Sequence, residues 1–206
     1  VSNYKGSNET TKIYHEEIEV TKIYLGENEV YSSVAQTFNN IITNGNFANG
    51  TTGWSGNGGA LSAASNILSI TGDGSTNDVY PGKTVSKTLA TDMQLYFSVK
   101  MKAKGSLCAS FQPYSSSPYY SFAYQSNPVQ DNEYTFSDIW TITSGDNGKT
   151  SITLRLKSGY ASAANANGQV TEIKEVILVD LTAAFGAGSE PTKAWCDANI
   201  PPNIVW

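Results

Sequence analysis

The chain has 206 residues, of which 39% are hydrophobic, with thirteen Lys and Arg against eighteen Asp and Glu for a formal net charge of −5. That balance leaves no basic stripe to neutralise phosphates, which argues against nucleic acid as a partner, and no apolar run of about 18 residues is present to insert in a membrane as a helix. Cys108 and Cys196 lie too far apart in sequence to suggest the disulfide framework of a small secreted scaffold, so both read as free thiols. Val1-Ser2-Asn3-Tyr4 has neither a basic nor an apolar segment, so no secretory leader is expected there. Gly, Ser, Thr, Asn and Tyr are abundant and helix formers sparse, the balance of many short strands joined by tight turns.

The first region, residues 1–38, repeats. Thr11-Lys12-Ile13-Tyr14 returns ten residues later as Thr21-Lys22-Ile23-Tyr24, and Ile18-Glu19-Val20 returns as Asn28-Glu29-Val30. Each unit alternates polar and apolar residues around a turn such as Leu25-Gly26-Glu27-Asn28, which predicts strand-turn-strand units too thin to bury a core alone. Such a segment needs a partner surface, so it is expected to mediate self-association or docking. Ser32 to Asn40 reads as a linker.

Residues 39–182 are expected to form the main domain. In Gln94 to Lys102 the apolar set Leu95, Phe97, Val99 and Met101 alternates with polar neighbours, and Ser151 to Lys157 repeats the pattern. Leu107, Ala109 and Phe111 give a third copy. Val176-Ile177-Leu178-Val179 is apolar on both faces, as in a strand covered on both sides. Turns are predicted at Thr71-Gly72-Asp73-Gly74, Tyr80-Pro81-Gly82-Lys83 and Gly145-Asp146-Asn147-Gly148. This spacing predicts an all-β chain whose centre is a β-sandwich of the jelly-roll type. Residues 183–206 then read as a Gly-rich loop and one short helix near Pro191 to Ala198, capped by Ser189 or Glu190.

Ile41-Ile42-Thr43-Asn44-Gly45-Asn46-Phe47 with Gly53-Trp54, Tyr96 to Ala103 and Val176 to Leu181 resemble the jelly-roll carbohydrate-binding modules attached to xylanases and cellulases. In that family an acidic residue after the opening motif and a late Asp help hold a structural calcium. Asp180 stands at the late position, but Ala48 replaces the acid, and calcium prefers six to eight oxygens. Asp180 to Thr192 and the Thr-Lys-Ile-Tyr repeat resemble segments of tail-associated structural proteins of phages and prophages. The resemblance implies an extracellular virion tail module that binds host cell-wall or capsular polysaccharide, works alongside other tail proteins and forms a homo-oligomer, with a trimer the best single choice. The alternative is a purely structural tail or decoration protein.

Stacking rings and hydroxyl-binding amides make a sugar site, and the densest such cluster is Tyr114, Tyr119, Tyr120 and Tyr124 with Gln112 and Gln125. Trp140 joins it as an even choice between surface and core, and Tyr120, Phe122 and Tyr124 fall on one face of a regular strand. Trp54 reads as a buried anchor, and Trp195 and Trp206 as residues packing the terminal helix down. Gly186-Ala187-Gly188 lacks the remainder of a phosphate loop, and Glu190 would repel an anion. His15 is the only histidine, so triads that need an imidazole base lack a part. Asp131, Glu133 and Asp138 are close enough in sequence to consider as a glycosidase pair, yet acids in a loop-rich stretch are usually solvated. The chain is expected not to be an enzyme.

Overall fold

The computed structural model describes residues 38–113, 119–129 and 132–200 in full, and for the first unit gives only backbone strands. The chain divides into Val1–Thr37 and Phe38–Trp206. In the first unit β1 (Tyr14–His15) pairs with β2 (Ile18–Glu19), and β3 (Lys22–Leu25) with β4 (Asn28–Ser32), so the repeats do form two-stranded ladders. The predicted capacity of residues 1–38 to associate falls mostly outside the described residues, as do Tyr114, Asp131 and Trp206.

The second unit is the predicted sandwich. Its strands are β5 (Ser55–Asn57), β6 (Gly59–Ala64), β7 (Ile67–Gly72), β8 (Asp78–Ser86), β9 (Gln94–Lys102), β10 (Ser106–Pro113), β11 (Tyr120–Gln125), β12 (Tyr134–Thr141), β13 (Ser151–Gly159) and β14 (Val170–Asp180). The first sheet has the order β11-β10-β13-β8-β5 and the second β12-β9-β14-β7-β6, with antiparallel neighbours throughout. From β7 to β14 the chain crosses repeatedly between sheets, which is the jelly-roll pattern.

Alternation decides the core. Leu95, Phe97, Val99 and Met101 of β9 are buried against Leu107, Ala109 and Phe111 of β10 and Ile152, Leu154 and Leu156 of β13. Phe97 and Phe111 meet edge to face at 4.8 Å across the sheets, an arrangement worth about 0.5–1.5 kcal/mol beyond the area buried. Lys83 also points inward. Its ammonium donates to the Gly53 carbonyl at 3.3 Å and lies 5.4 Å over the Trp54 ring, and burial lowers its pKa.

The opening motif now has a physical role. Asn44, with φ of 54°, donates to the carbonyls of Gly50 and Thr52, each at 3.0 Å, and accepts the Asn49 N–H at 3.0 Å. The Trp54 indole donates to the Asn44 carbonyl at 3.1 Å, and its ring packs 5.4 Å from Phe47. Trp54 is the expected buried anchor of this loop.

The segment Tyr80-Pro81-Gly82-Lys83, predicted as a turn, runs through the middle of β8 instead. Proline has no N–H to give, and the β13 ladder lapses at Tyr80 and Pro81 before resuming at Val79 opposite Ser158. In β14 a bulge at Glu175, with φ of 52°, changes the phase of the strand. Ile173, Val176 and Leu178 therefore face the main core, while Ile177 and Val179 face outward.

Those outward residues are covered, as the doubly apolar strand requires. The segment around Phe38, α2 (Leu181–Phe185) and α3 (Lys193–Asn199) forms a second core with Tyr96, Ile177, Val179, Leu181, Cys196 and Ile200. Phe38 and Asn40 thus belong to the fold rather than to a linker: the Asn40 amide donates to the Val176 carbonyl at 2.9 Å and its oxygen accepts the Leu178 N–H at 2.8 Å. Thr192, not Ser189 or Glu190, caps α3, through the Trp195 N–H at 3.3 Å. Glu190 instead accepts from the Thr182 hydroxyl at 2.6 Å and the Gly188 N–H at 2.7 Å, bonds that hold its carboxyl below the usual range.

Two short elements escaped the sequence reading: α1 (Ala163–Ala166), capped by Ser162, and α2, capped by Asp180. No described helix is long and apolar enough to cross a membrane.

Candidate functional site

Paired residues of an antiparallel ladder share a face, so the register assigns the outward side chains of the first sheet. From β11 inward they are Ser121 and Tyr124, then Cys108, Ser110 and Gln112 of β10, then Thr153, Arg155 and Lys157 of β13. Tyr80 and Thr84 of β8 follow, then Ser55 and Asn57 of β5. Ser55, Asn57, Thr84 and Ser121 are exposed, and Tyr80, Thr153, Arg155 and Lys157 half-buried. Cys108 and Ser110, on the same side, are buried, so the accessible part of the face is the field of hydroxyls and amides around Tyr80, Arg155 and Tyr124.

Arg155 lies at its centre. Its guanidinium carbon is 3.8 Å from the Tyr119 ring centroid and 5.0 Å from that of Tyr80. Contact with two rings restrains the guanidinium by cation–π attraction. Burial, more than any other effect, raises the Tyr119 phenol pKa. To one side Lys157 forms an ion pair with Asp78 at 3.2 Å, and Thr84 and Thr153 share a hydrogen bond of 2.9 Å.

At the Gly159 end the face opens into a polar hollow of about 750 Å³, bordered by Asp78, Lys104, Tyr124, Lys157 and Tyr160 among others. Gly105 permits a close approach at its edge: a Cβ there would stand 2.8 Å from the Tyr160 ring and 2.6 Å from the Gly159 carbonyl.

The sequence-predicted residues divide in this frame. Tyr119, Tyr124 and Gln112 lie on or beside the outer face. Tyr124 is 67% exposed because the ladder slips between Ala109 and Ser110, opposite Phe122, so Tyr124 pairs with Cys108 on the outer side. The expected sharing of one face by Tyr120, Phe122 and Tyr124 therefore fails.

Tyr120 sits on the inner side opposite Phe111, donates to Asp146 at 3.1 Å and packs 5.7 Å from Trp140. Burial first and the Asp146 acceptor next raise its pKa. Trp140 is only 5% exposed and stacks on Phe111 at 5.8 Å, so it is a core residue rather than a sugar contact. Gln125, opposite Leu107, belongs to the inner side and donates to the Asn127 carbonyl at 3.5 Å.

Tyr80 and Arg155 were missed. The signal for Arg155 was available, since it occupies a polar position of an alternating strand and is the chain's one arginine. Tyr80 was hidden by the Pro-Gly pair that follows it.

The candidate acids stand elsewhere. Glu133 accepts from Lys174 at 2.7 Å beside the second sheet, and Asp138 lies on β12, the edge strand of that sheet. Neither faces Arg155.

Asp180 does not fit a calcium. One oxygen accepts the Ala183 N–H at 2.8 Å as the cap of α2, and the other is bound by the Lys87 ammonium, so a cation there would meet a positive charge. No group of three His, Cys, Asp or Glu converges among the described residues.

No protein-family model matches the sequence, and no curated protein matches it. Solved structures do. A family 4 carbohydrate-binding module is similar at 14% identity and a TM-score of 0.50, over 68% of this chain and 99% of that one. The xylan-binding domain CBM22-2 of Paenibacillus barcinonensis Xyn10C is similar at 11% identity and 0.50, over 66% and 96%. The tandem CBM22-1–CBM22-2 structure from the same protein gives 11% and 0.52, over 74% and 52%. Residues 38–200 therefore have the jelly-roll sandwich fold seen in carbohydrate-binding modules.

Proposed function

We propose that the chain is a non-catalytic module of a phage or phage-like tail that binds host cell-surface polysaccharide through the outer face of its first sheet. One observation carries the reading: an accessible sheet face holds Tyr80, Tyr119 and Tyr124 around Arg155 among amides and hydroxyls, while α2 and α3 both lie on the second sheet. Rings suit the apolar faces of pyranoses, and the polar groups suit their hydroxyls. The structurally similar modules, one of them a xylan-binding domain, support a sugar as the ligand class. The tail context rests on the resemblance of Asp180 to Thr192 and of the ten-residue repeat. In that context the N-terminal strands join copies of the chain or dock them to other tail proteins, and a weak single site gains strength through copy number.

The test is a glycan array probed with the full chain, paired with an assay for reducing ends released from each bound polymer. Binding without release is expected. Release would contradict the non-catalytic reading, and an array without binding would leave the module as a structural part of the particle.

A further inference from the structure

The cations of the sandwich are distributed unevenly. Among the described residues every lysine except Lys83 and Lys104 lies within ion-pair distance of a carboxylate. Lys83 is inside, against Trp54. The remaining unpaired cations, Lys104 and Arg155, both belong to the face and hollow described above. Arg155 has aromatic neighbours instead of an acid: Tyr119 at 3.8 Å and Tyr80 at 5.0 Å. Among the described residues that border this face and hollow the acid is Asp78, and it is already paired with Lys157 at 3.2 Å. In a chain of net charge −5, the described residues of this face and hollow set Arg155, Lys157 and Lys104 against Asp78.

Burying an uncompensated guanidinium under a neutral ligand costs desolvation with no charge returned, whereas an anionic ligand restores the missing partner. The guanidinium fork matches the two oxygens of a carboxylate or phosphate, and contact with the Tyr119 and Tyr80 rings limits its freedom in advance. Arg155 and Gly159 at the hollow are four residues apart on β13, about 13 Å along the strand, so a chain lying along the sheet reaches Arg155 and Lys104 at separate points.

We infer that the ligand is an acidic glycan, one bearing carboxylate or phosphate groups, and that Arg155 is the residue that selects it. The inference rests on the glycan-binding reading above and narrows it.

The full chain and its R155Q variant are titrated calorimetrically with polygalacturonate, its methyl ester, a glycerol-phosphate teichoic acid and a neutral β-glucan. Melting curves confirm that R155Q is folded. An acidic polymer is expected to bind at least about ten-fold more tightly than either neutral one, with the preference lost in R155Q and reduced in R155K, which keeps the charge but not the fork. Added salt weakens binding of the acidic polymer only. Whether polygalacturonate or the teichoic acid is preferred identifies the anion as carboxylate or phosphate. Equal binding of the methyl ester or β-glucan, with R155Q unchanged, overturns the inference and leaves the glycan reading standing. Binding of none of the four, together with an array that shows none, overturns both.

Discussion

The residues that point away from the core differ between the two sheets. On the second sheet they are Tyr96, Ile177 and Val179 at one end, sealed by Phe38, α2 and α3. At the other end they are Lys100, Lys102, Glu172 and Lys174, tied into ion pairs with one another or with Glu175 and Glu133. On the first sheet Cys108 and Ser110 are buried, but Tyr80, Thr84, Thr153, Arg155 and Tyr124 are exposed or half-buried and partly unpaired. Both sheets contribute residues to the inner core, so the core explains neither outer surface. A face that the chain has covered or neutralised stabilises the fold, and a face left polar, aromatic and charged is available for a ligand.

Substitutions on the two faces separate these roles. The largest effect belongs to the covered face. Ile177→Ala, at a position 2% exposed, is expected to cost about 2–5 kcal/mol in urea unfolding. Thr84→Ala on the open face, which gives up one exposed hydrogen bond to Thr153, should cost no more than about 1 kcal/mol. A comparable loss at both would mean that the open face is also structural.

Next, Tyr119→Ala should weaken glycan binding about ten-fold. Its cost in stability should stay near 1 kcal/mol, that of one ring contact to a cation at a partly exposed site. A stability loss as large as that of Ile177→Ala would place Tyr119 in the fold rather than the site.

The third effect is on pH dependence and involves the inward cation. Burial lowers the Lys83 pKa from 10.5 in the folded chain, so above the folded value the unfolded chain binds more protons and stability rises with pH until about 10.5. Lys83→Met should be more stable near neutrality and should lose that alkaline gain. Cys196 acts in the opposite sense: burial first, with Asp197 adding, raises its thiol to about 11. Stability from this group is complete below about pH 9 and falls as pH rises through 9 to 11. Urea unfolding of the wild type, Lys83→Met and Cys196→Ala across pH 7 to 11 resolves the two contributions.

The smallest effect is at Lys100. Its 2.7 Å pair with Glu175 is partly exposed, and Lys100→Ala should cost no more than about 1 kcal/mol. A larger loss would make the ion pairs of the second sheet a structural cover equal to the helices.

The sandwich was legible because β13 alternates cleanly, because the apolar sets of β9 and β10 recur at every second residue, and because β14 is apolar on both sides, which required the cover that the C-terminal segment provides. The site was legible only in part. Period-two reading carries no signal for a bulge, so Tyr124 was grouped with Phe122, and Pro81 disguised the strand that presents Tyr80. Trp140 could not be assigned to core or surface until its register with Leu95 was known. The meeting of Arg155 with Tyr80 and Tyr119 depends on pairing between distant strands, which local sequence does not encode.

The most direct test of the open face is the affinity of the best polysaccharide from the array for the full chain, for a Tyr80→Ala/Tyr119→Ala double variant and for Trp195→Ala on the covered side. The account predicts that the double variant loses about 100-fold and that Trp195→Ala stays within about two-fold of the wild type. Retained binding in the double variant, or an equal loss in Trp195→Ala, would contradict it.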